Sequence, residues 1–346
     1  MAVDTFLLPS NGARGAKVVA LGGGHGLYTS LTALKYLTRN VTAVVTVADD
    51  GGSSGRLRQE IGGLPPGDLR MALSALCDDS EWGQTWRDVL QYRFQTNGPL
   101  DGHALGNLLI EGLWELLGDS GAGLDWVGKL LDVKGRVIPM AAQPLSIEAD
   151  VLDYSESTAA GPSADTDTGS DGVAQVQKIS TLYGQNRVAK AHGLIQHVRL
   201  IPPNPQARPE ALEAIEQADW VIFGPGSWYT SVIPHLLVPQ LREALEATAA
   251  RRMLVLNLQA DAETEQLDAA GHVRSFHSFA PDLRLDTVLV DPGPVVQWES
   301  LRAAAALCGA TLMAHPVADN RLPGRHDALF LAGAYRRAFM ELAPRR

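Results

Sequence analysis

Residues 17–58 read KVVALGGGHGLYTSLTALKYLTRNVTAVVTVADDGGSSGRLR, and this stretch decides the fold of the chain. Its apolar run at 18–21 predicts a buried strand that passes directly into glycines, and leucines at helical spacing follow from Leu27 to Leu37. A strand that enters a helix through glycines exposes backbone N–H groups at the positive end of the helix dipole, where phosphates bind. The first half of the stretch therefore predicts a phosphate site formed by Gly22, Gly23, Gly24, His25 and Gly26.

The second half of the stretch repeats this pattern. Val41 to Val47 is typical of a parallel strand buried on both faces, and acids, glycines and serines follow its carboxyl end. Carboxylates in this position can hold ribose hydroxyls or a divalent cation, whereas serine hydroxyls and an arginine can hold phosphate oxygens. The candidate nucleotide-binding residues here are Asp49, Asp50, Gly51, Gly52, Ser53, Ser54 and Arg56, and the candidate ligands of Mg²⁺ are Asp49 and Asp50.

Two such loops on adjacent strands predict an α/β fold with a mostly parallel sheet. In open sheets of this class, ligands bind in a crevice beyond the carboxyl ends of the strands, so both loops should face one crevice. The glycines do not complete G-x-G-x-x-G, and no Lys-Ser or Lys-Thr follows as in a P-loop, which disfavours an ordinary dinucleotide or ATPase site. For either loop taken alone, a tight turn or a solvated acidic loop remains the alternative.

The composition limits the functional classes to which the protein can belong. The 346 residues carry a formal net charge of −10 without a basic stripe, which argues against a nucleic-acid partner. The two cysteines have no C-x-x-C partner and predict core thiols in a reducing cytoplasm, and no apolar run reaches the roughly 20 residues that span a bilayer. We expect a disordered tail at 1–16, a single α/β domain at 17–346, and a flexible insertion within it at about 153–173, where Ser, Thr, Gly and Asp dominate.

Two stretches after the acidic loop add polar groups to the predicted crevice. Asp68 and Arg70 follow two prolines at a predicted helix start, although helix capping alone also explains Asp68. His103 and Asn107 project from one face of a helix, and Gly106 allows a close approach beside them. Convergent polar groups among apolar ones favour a pocket, whereas a lone histidine is most often structural.

A third strand-end loop follows the buried run at 220–223. It again passes into glycines and offers hydroxyls beside backbone donors at a predicted helix start. Its candidate binding residues are Gly224, Gly226, Ser227, Tyr229, Thr230 and Ser231, and Asn257 ends the strand after it. The acids that come next, Asp261, Glu263 and Glu265, are interpreted as a solvated helix face.

With these loops identified, the chain resembles the gluconeogenesis factor family (YvcK-type proteins), part of a larger CofD-like group that includes 2-phospho-lactate transferase. The resemblance covers most of the chain from residue 17 to about residue 290. Its matching segments are GGGHGL at 22–27, VTVADDGGSSGRLR at 45–58, PPGDLR at 65–70, GHALGNLL at 102–109 and GPGSWYTSVIPHLLV at 224–238.

The resemblance implies a Rossmann-like three-layer fold and a cytoplasmic bacterial protein required for cell shape and for growth on gluconeogenic carbon sources. It also implies binding of UDP-sugars such as UDP-N-acetylglucosamine, often without a demonstrated reaction. The transferase relatives instead pass a phospholactyl group from a guanylyl-activated substrate and use a divalent cation. Carried over residue by residue, the family pattern places the nucleotide around 22–26, 49–56 and 224–231, with His103 and Asn107 closing the pocket.

The chain departs from the family pattern at three places. Met71 stands where the family usually has Asn, Asn257 is followed by Leu-Gln-Ala-Asp rather than a turn with threonine and proline, and the insertion at about 153–173 is longer than is typical. These departures concern the sugar or the transferred group more than the nucleotide site.

Two interpretations of the function remain open. In the first, the protein is a regulator that binds a UDP-sugar and is recognised by protein partners in cell-wall or carbon metabolism, as a monomer or a homo-oligomer. The sequence has no nucleophile–base arrangement such as G-x-S-x-G with a downstream acid and histidine, which favours this interpretation. In the second, it is a phosphoryl-type transferase in which Asp49 and Asp50 hold Mg²⁺ and Arg56 stabilises the transition state.

Overall fold

The computed structural model describes residues 15–153, 178–293 and 296–342. The tail predicted at 1–16 lies outside the described residues except for Gly15 and Ala16, and the insertion predicted at about 153–173 lies outside them except for Asp153. Within the described ranges, every helix is too short or too polar to cross a bilayer.

The described residues form short strands and helices that alternate along most of the chain. The strands are β1 (Val18–Gly22), β2 (Val41–Val45), β3 (Arg136–Pro139), β4 (Ser146–Asp153), β5 (Lys178–Tyr183), β6 (Leu194–Ile201), β7 (Trp220–Phe223), β8 (Arg251–Val255), β9 (Thr287–Val290) and β10 (Thr311–Ala314). The helices are α1 (Gly24–Leu34), α2 (Gly52–Ile61), α3 (Pro66–Leu76), α4 (Glu81–Gln91), α5 (Leu105–Leu117), α6 (Ser120–Leu130), α7 (Gln185–Val188), α8 (Pro209–Glu216), α9 (Pro239–Ala247), α10 (Ala269–Phe279), α11 (Trp298–Leu307) and α12 (Ala328–Glu341).

Seven parallel strands form the central sheet in the order β10-β9-β8-β7-β1-β2-β3. Strand β1 lies between β2 and β7, and Val18 pairs with Val41 on one side and Trp220 on the other. Every residue of β1 and β7 is buried, as expected for parallel strands covered on both faces. The glycines after β1 and after β7 therefore leave the sheet side by side at one edge.

Helices flank this sheet in two groups. In the first group, α3 packs against α1, α4 and α5, and α12 packs against α1. In the second, α8 packs on α9 and α10 packs on α11, and the 3-10 turn Ile233–Leu237 contacts both α9 and α10. The predicted α/β fold with a parallel sheet between helices is confirmed.

A second, antiparallel sheet has the order β5-β4-β6 and was not part of the prediction. In β4, the buried residues Ile147, Ala149 and Val151 alternate with partly exposed Glu148 and Asp150. This alternation is typical of an antiparallel sheet with one face in solvent.

Candidate functional site

The glycine loops after β1 and β7 touch each other through their backbones. A Cβ atom on Gly26 would lie 2.6 Å from the Cα of Gly226 and would overlap the carbonyl oxygen of Pro225. Gly224 and Gly226 have φ angles of 70° and 152°, which side chains other than glycine rarely adopt. The close approach of the two loops therefore requires glycine at these positions.

A cavity of about 600 Å³ opens above this contact. Nine of the predicted residues line it: Gly23, Gly24, His25, Gly26, Asp68, Gly226, Ser227, Ser231 and Asn257. The cavity lies at the carboxyl ends of adjacent parallel strands, as expected, but its lining comes from the loops after β1 and β7, and no residue of the loop at 49–56 lines it.

The floor of the cavity is the start of α1. The residue before the helix is Gly23, which has no side chain to cap the first turn, and Gly24, His25 and Gly26 line the cavity from that turn. The N–H of Gly24 donates to the Asp68 carboxylate, and the remaining N–H groups of the turn, together with the helix dipole, make this start attractive to anions. Burial lowers the pKa of His25, and the charges of Arg325 and Arg70 lower it further, so this imidazole is neutral at pH 7.

Asp68 lies beside the first glycine loop, where it accepts a hydrogen bond from Thr46 Oγ1 at 3.2 Å. Its side chain is buried, and a Cβ on Gly23 would overlap its carboxylate. Burial and, after it, the negative charge of Asp49 raise the pKa of Asp68 to about 7. Asp68 is thus a carboxyl group of the cavity that changes charge near neutral pH.

The two aspartates after β2 contact different elements. Asp49 Oδ1 accepts the N–H of Gly51 at 2.9 Å, while Asp50 Oδ1 accepts the N–H of Asn186 at the start of α7 at 2.9 Å. Burial raises the pKa of Asp49. Within the described ranges, no group of three or more His, Cys, Asp or Glu side chains has an arrangement that could hold a metal ion.

The hydroxyls of Ser53 and Ser54 point into the protein rather than into the cavity. Ser54 Oγ accepts the N–H of Gly67 at 3.0 Å. Ser53 Oγ lies 3.1 Å from His103 Nδ1 and 3.0 Å from Asn107 Nδ2. Both serines are therefore satisfied by neighbouring groups of the protein, because α2 already begins at Gly52 and turns these side chains inward.

Arg70 and Arg56 are also held by the protein. Arg70 is buried, and it donates to Asn107 Oδ1 at 2.8 Å through Nε and to Gln91 Oε1 through Nη1. Exposed Arg56 donates to the carbonyl oxygens of Pro99 and Asp101. Asn107 and Arg70 thus connect with Ser53 and His103 in one buried polar network, and Gly106 allows it because a Cβ there would lie 2.8 Å from Arg70 Cδ. The structure brings Ser53, Arg70, His103 and Asn107 together in the protein interior, and none of these four residues lines the cavity.

The third loop is fixed from both sides by side chains. Asn257 accepts the N–H of Gly226 at 3.1 Å and donates to its carbonyl oxygen at 2.9 Å. The N–H of Tyr229, in the π-helical turn Trp228–Val232, donates to Glu263 Oε1 at 3.0 Å. Tyr229 and Thr230 are buried in this turn, whereas Ser227 and Ser231 reach the cavity.

The interpretation of Asp261, Glu263 and Glu265 as a solvated helix face was wrong for Glu263. Its side chain is only 2% exposed, and burial raises its pKa to about 7. The carboxylate caps the turn that begins at Trp228, which is a tertiary contact that charge spacing along the sequence cannot reveal. Asp261 and Glu265 are exposed, as expected.

The sequence analysis missed the opposite wall of the cavity. This wall contains Asp319, Leu322, Gly324, Arg325 and His326, and Gln185 and Gln259 also line the cavity. The missed wall follows β10, so the rule that ligands bind at strand carboxyl ends could have found it. Arg325 is exposed, and its guanidinium is a positive charge at the mouth of the cavity.

Comparisons with known proteins agree with this fold. A family model described as 2-phospho-L-lactate transferase CofD matches residues 18–319. A Mycobacterium tuberculosis protein that carries the provisional name gluconeogenesis factor is 47% identical over 316 residues, which cover 90% of this chain and 86% of that protein. The gluconeogenesis factor of Halalkalibacterium halodurans is 36% identical over 279 residues, covering 80% of this chain and 78% of that protein.

A solved structure has the same architecture. The crystal structure of a UPF0052 family member from Bacillus halodurans matches with a TM-score of 0.77 at 31% identity, and the match covers 93% of this chain and 99% of that one. The similarity thus includes sequence as well as fold.

Proposed function

This chain belongs to the CofD family and, within it, to the gluconeogenesis factors, and from this premise we propose that its cavity binds a UDP-sugar resembling UDP-N-acetylglucosamine. In this proposal the liganded protein is a cytoplasmic regulator, needed for cell shape and for growth on gluconeogenic carbon sources. Protein partners in cell-wall or carbon metabolism recognise the liganded state.

The observation that carries the proposal is the glycine floor of the cavity. The first turn of α1 has no side-chain cap at Gly23 and opens into the cavity through Gly24, His25 and Gly26. A diphosphate can accept N–H groups there, and Arg325 supplies a positive charge across the cavity. The volume of about 600 Å³ exceeds what a phosphate alone needs and falls within the range of roughly 300–1,000 Å³ for small-molecule sites.

One observation favours the transferase as a second candidate function. Asp49 raises the pKa of buried Asp68, so these two carboxylates lie close enough to repel each other. A divalent cation would relieve that repulsion, and oxygen donors of this kind suit Mg²⁺. In this second candidate function, Asp49 with Asp68 is the pair that would hold the cation, each also accepting one hydrogen bond, from Gly51 and from Thr46. A bound Mg²⁺ would neutralise a diphosphate leaving group.

Calorimetric titration with UDP-N-acetylglucosamine and with GDP, each with Mg²⁺ or a chelator, separates the two functions. We expect UDP-sugar binding that the chelator leaves unchanged. Replacement of Arg325 by Ala should weaken that binding about tenfold because a charge-assisted contact to the diphosphate is lost. Replacement of Arg321, an exposed arginine of the same segment, should change it less than about twofold. Binding of GDP alone, and only with Mg²⁺, would overturn the regulator in favour of the transferase.

A further inference from the structure

The lining of the cavity contains more acids than cations. Among the described residues that line it, Arg325 is the one that is always positively charged. The lining histidines, His25 and His326, are neutral at pH 7 because burial lowers their pKa values. Three of the lining residues are acids: Asp68, Asp261 and Asp319. Even when Asp68 is protonated, the lining therefore has a negative excess before a ligand enters.

Asp261 and Asp319 belong to two segments that meet on one side of the cavity. Asp261 follows β8, and Asp319 follows β10. The amide of Gln259 lies against Gly324, where a Cβ would overlap it, so the segments at 257–261 and 319–326 are in contact. We call this part of the cavity, formed by 257–261 and 319–326, the acidic end.

Backbone N–H groups hold both carboxylates in place. Asp261 caps the 3-10 turn Ala262–Thr264: its side chain accepts the N–H of Thr264, and its own N–H donates to Thr264 Oγ1 at 3.0 Å. Asp319 Oδ1 accepts the N–H groups of Arg321 at 2.7 Å and Leu322 at 3.2 Å. The Arg321 side chain is 88% exposed, and its Nε lies 3.9 Å from Asp319, so it offsets this carboxylate only weakly. The two charges thus act on a ligand from fixed positions.

The order of the strands indicates which part of a nucleotide-sugar reaches the acidic end. In doubly wound sheets, the pyrophosphate lies at the start of the first helix and the nucleoside lies towards the second strand. Here β2 is on one side of β1, and β7, β8 and β10 are on the other. The cavity extends towards β2 as far as Gln185, whose neighbour Asn186 donates to Asp50. A diphosphate at the start of α1 with its nucleoside towards β2 leaves the acidic end for the sugar.

We propose that the acidic end receives the sugar and selects it by charge, an inference that rests on the proposed function. Sugars that are neutral or positively charged are accepted, and sugars that carry a carboxylate, such as uronic acids, are rejected. The start of α1 and Arg325 offset the charge of the diphosphate, but no second cation among the described lining residues offsets a further anion. The selection acts through space and needs no particular hydrogen bond between a carboxylate and a hydroxyl.

The test measures the affinities of three ligands that share the base and the diphosphate and differ in the charge of the hexose. UDP-glucosamine carries an ammonium group, UDP-glucose is neutral, and UDP-glucuronate carries a carboxylate. For the full chain at low salt and about pH 6.5, UDP-glucuronate should bind about tenfold more weakly than UDP-glucose, and UDP-glucosamine several-fold more tightly, as expected for a unit charge near two carboxylates. Equal affinities for UDP-glucose and UDP-glucuronate would overturn the proposal while leaving the proposed function standing. Failure of all three ligands to bind would instead remove the proposed function itself.

The double variant Asp261→Asn with Asp319→Asn separates charge from shape. Asparagine accepts the same N–H groups, so both turns are kept while both charges are lost. The three affinities should then lie within about threefold of one another, because UDP-glucuronate binds more tightly and UDP-glucosamine more weakly. Binding of UDP-glucose should change little, which also shows that the variant is folded.

Asp268→Asn is the matched control for these substitutions. Asp268 likewise caps a helix, since its Oδ1 accepts the N–H of Gly271 at 2.6 Å, but it does not line the cavity. This variant should keep the order and the spread of the three affinities. A spread that persists in the double variant would contradict selection by charge.

Discussion

Asp68 is the residue of the cavity whose charge depends most on conditions. It is buried, it accepts a hydrogen bond from Thr46, and its pKa of about 7 results from burial first and from the charge of Asp49 second. Below neutral pH the carboxyl is protonated, and above it the carboxylate adds a negative charge beside the start of α1. At alkaline pH, the charged Asp68 carboxylate therefore weakens anion binding at the start of α1.

The variant Asp68→Asn tests this electrostatic repulsion between Asp68 and a bound anion. With a chelator present, the variant should bind UDP-N-acetylglucosamine several-fold more tightly than the natural protein at about pH 8, and equally well at about pH 6, because the substitution removes a charge that exists only above the pKa. The diester diphosphate of this ligand does not titrate in that range, so the difference belongs to the protein. Weaker binding by the variant at about pH 8 would contradict the argument, and a loss that appears only with Mg²⁺ would indicate that Asp68 holds the cation.

At the scale of elements, the contact between the two glycine loops fixes the floor of the cavity. Gly26→Ala would place a methyl group 2.6 Å from Gly226 Cα, so the start of α1 and the loop after β7 would have to separate. We expect a loss of about 1–3 kcal/mol in the free energy of unfolding, as for other overpacked sites, together with much weaker nucleotide binding.

Gly112→Ala is the matched control for that substitution. Gly112 lies inside α5, and a Cβ there meets no atom within 4 Å. The control should gain roughly 0.5–1 kcal/mol in urea unfolding, because alanine favours a helix over glycine. Equal stabilities of the two variants would show that the loop contact does not matter.

Each element that was predicted correctly is indicated by residues within one short stretch of the sequence. The runs at 18–21 and 220–223 are apolar throughout and end in glycine, so strand, turn and helix start could each be derived locally. Gln185 and the segment at 319–326 reach the cavity through the packing of distant elements. No local sequence pattern identifies such residues. The inward orientation of the Ser53 side chain likewise depends on a tertiary contact, because its hydroxyl pairs with His103, which is distant in the sequence.

For the whole molecule, buried ionisable groups predict how stability depends on pH. Asp68, Glu111 and Glu263 are buried carboxyls whose pKa values burial raises to about 7. Between their unfolded pKa values near 4 and about pH 7, the folded state binds more protons than the unfolded state, so these groups lower stability as the pH rises. Buried His235 and partly buried His326, whose pKa values fall to about 4, act in the opposite direction, but only up to about pH 6.5.

Above about pH 6.5, the two histidines therefore no longer offset the effect of the three carboxyls on the free energy of unfolding. We expect the free energy of unfolding to fall by on the order of 2 kcal/mol between about pH 6.5 and pH 8, measured by urea titration. Glu263→Gln should reduce this fall by roughly a third, since one of three comparable groups is removed. A flat or rising profile in this window would contradict the assignment of these carboxyls.

The hydrogen bonds of the buried network formed by Arg70, Asn107, Ser53 and His103 all run in one direction. Arg70 can only donate, so Asn107 turns its carbonyl oxygen towards Arg70 and its amino group towards Ser53. Ser53 Oγ accepts that amino group and the N–H of Ala104, which leaves its own proton to go to His103 Nδ1. The imidazole is thus the neutral tautomer with its proton on Nε2. A proton on His103 Nδ1 would point at the proton of the Ser53 hydroxyl, so the two groups would repel each other. The chain of hydrogen bonds cannot run the other way, because the Arg70 guanidinium has no lone pair and cannot accept a hydrogen bond.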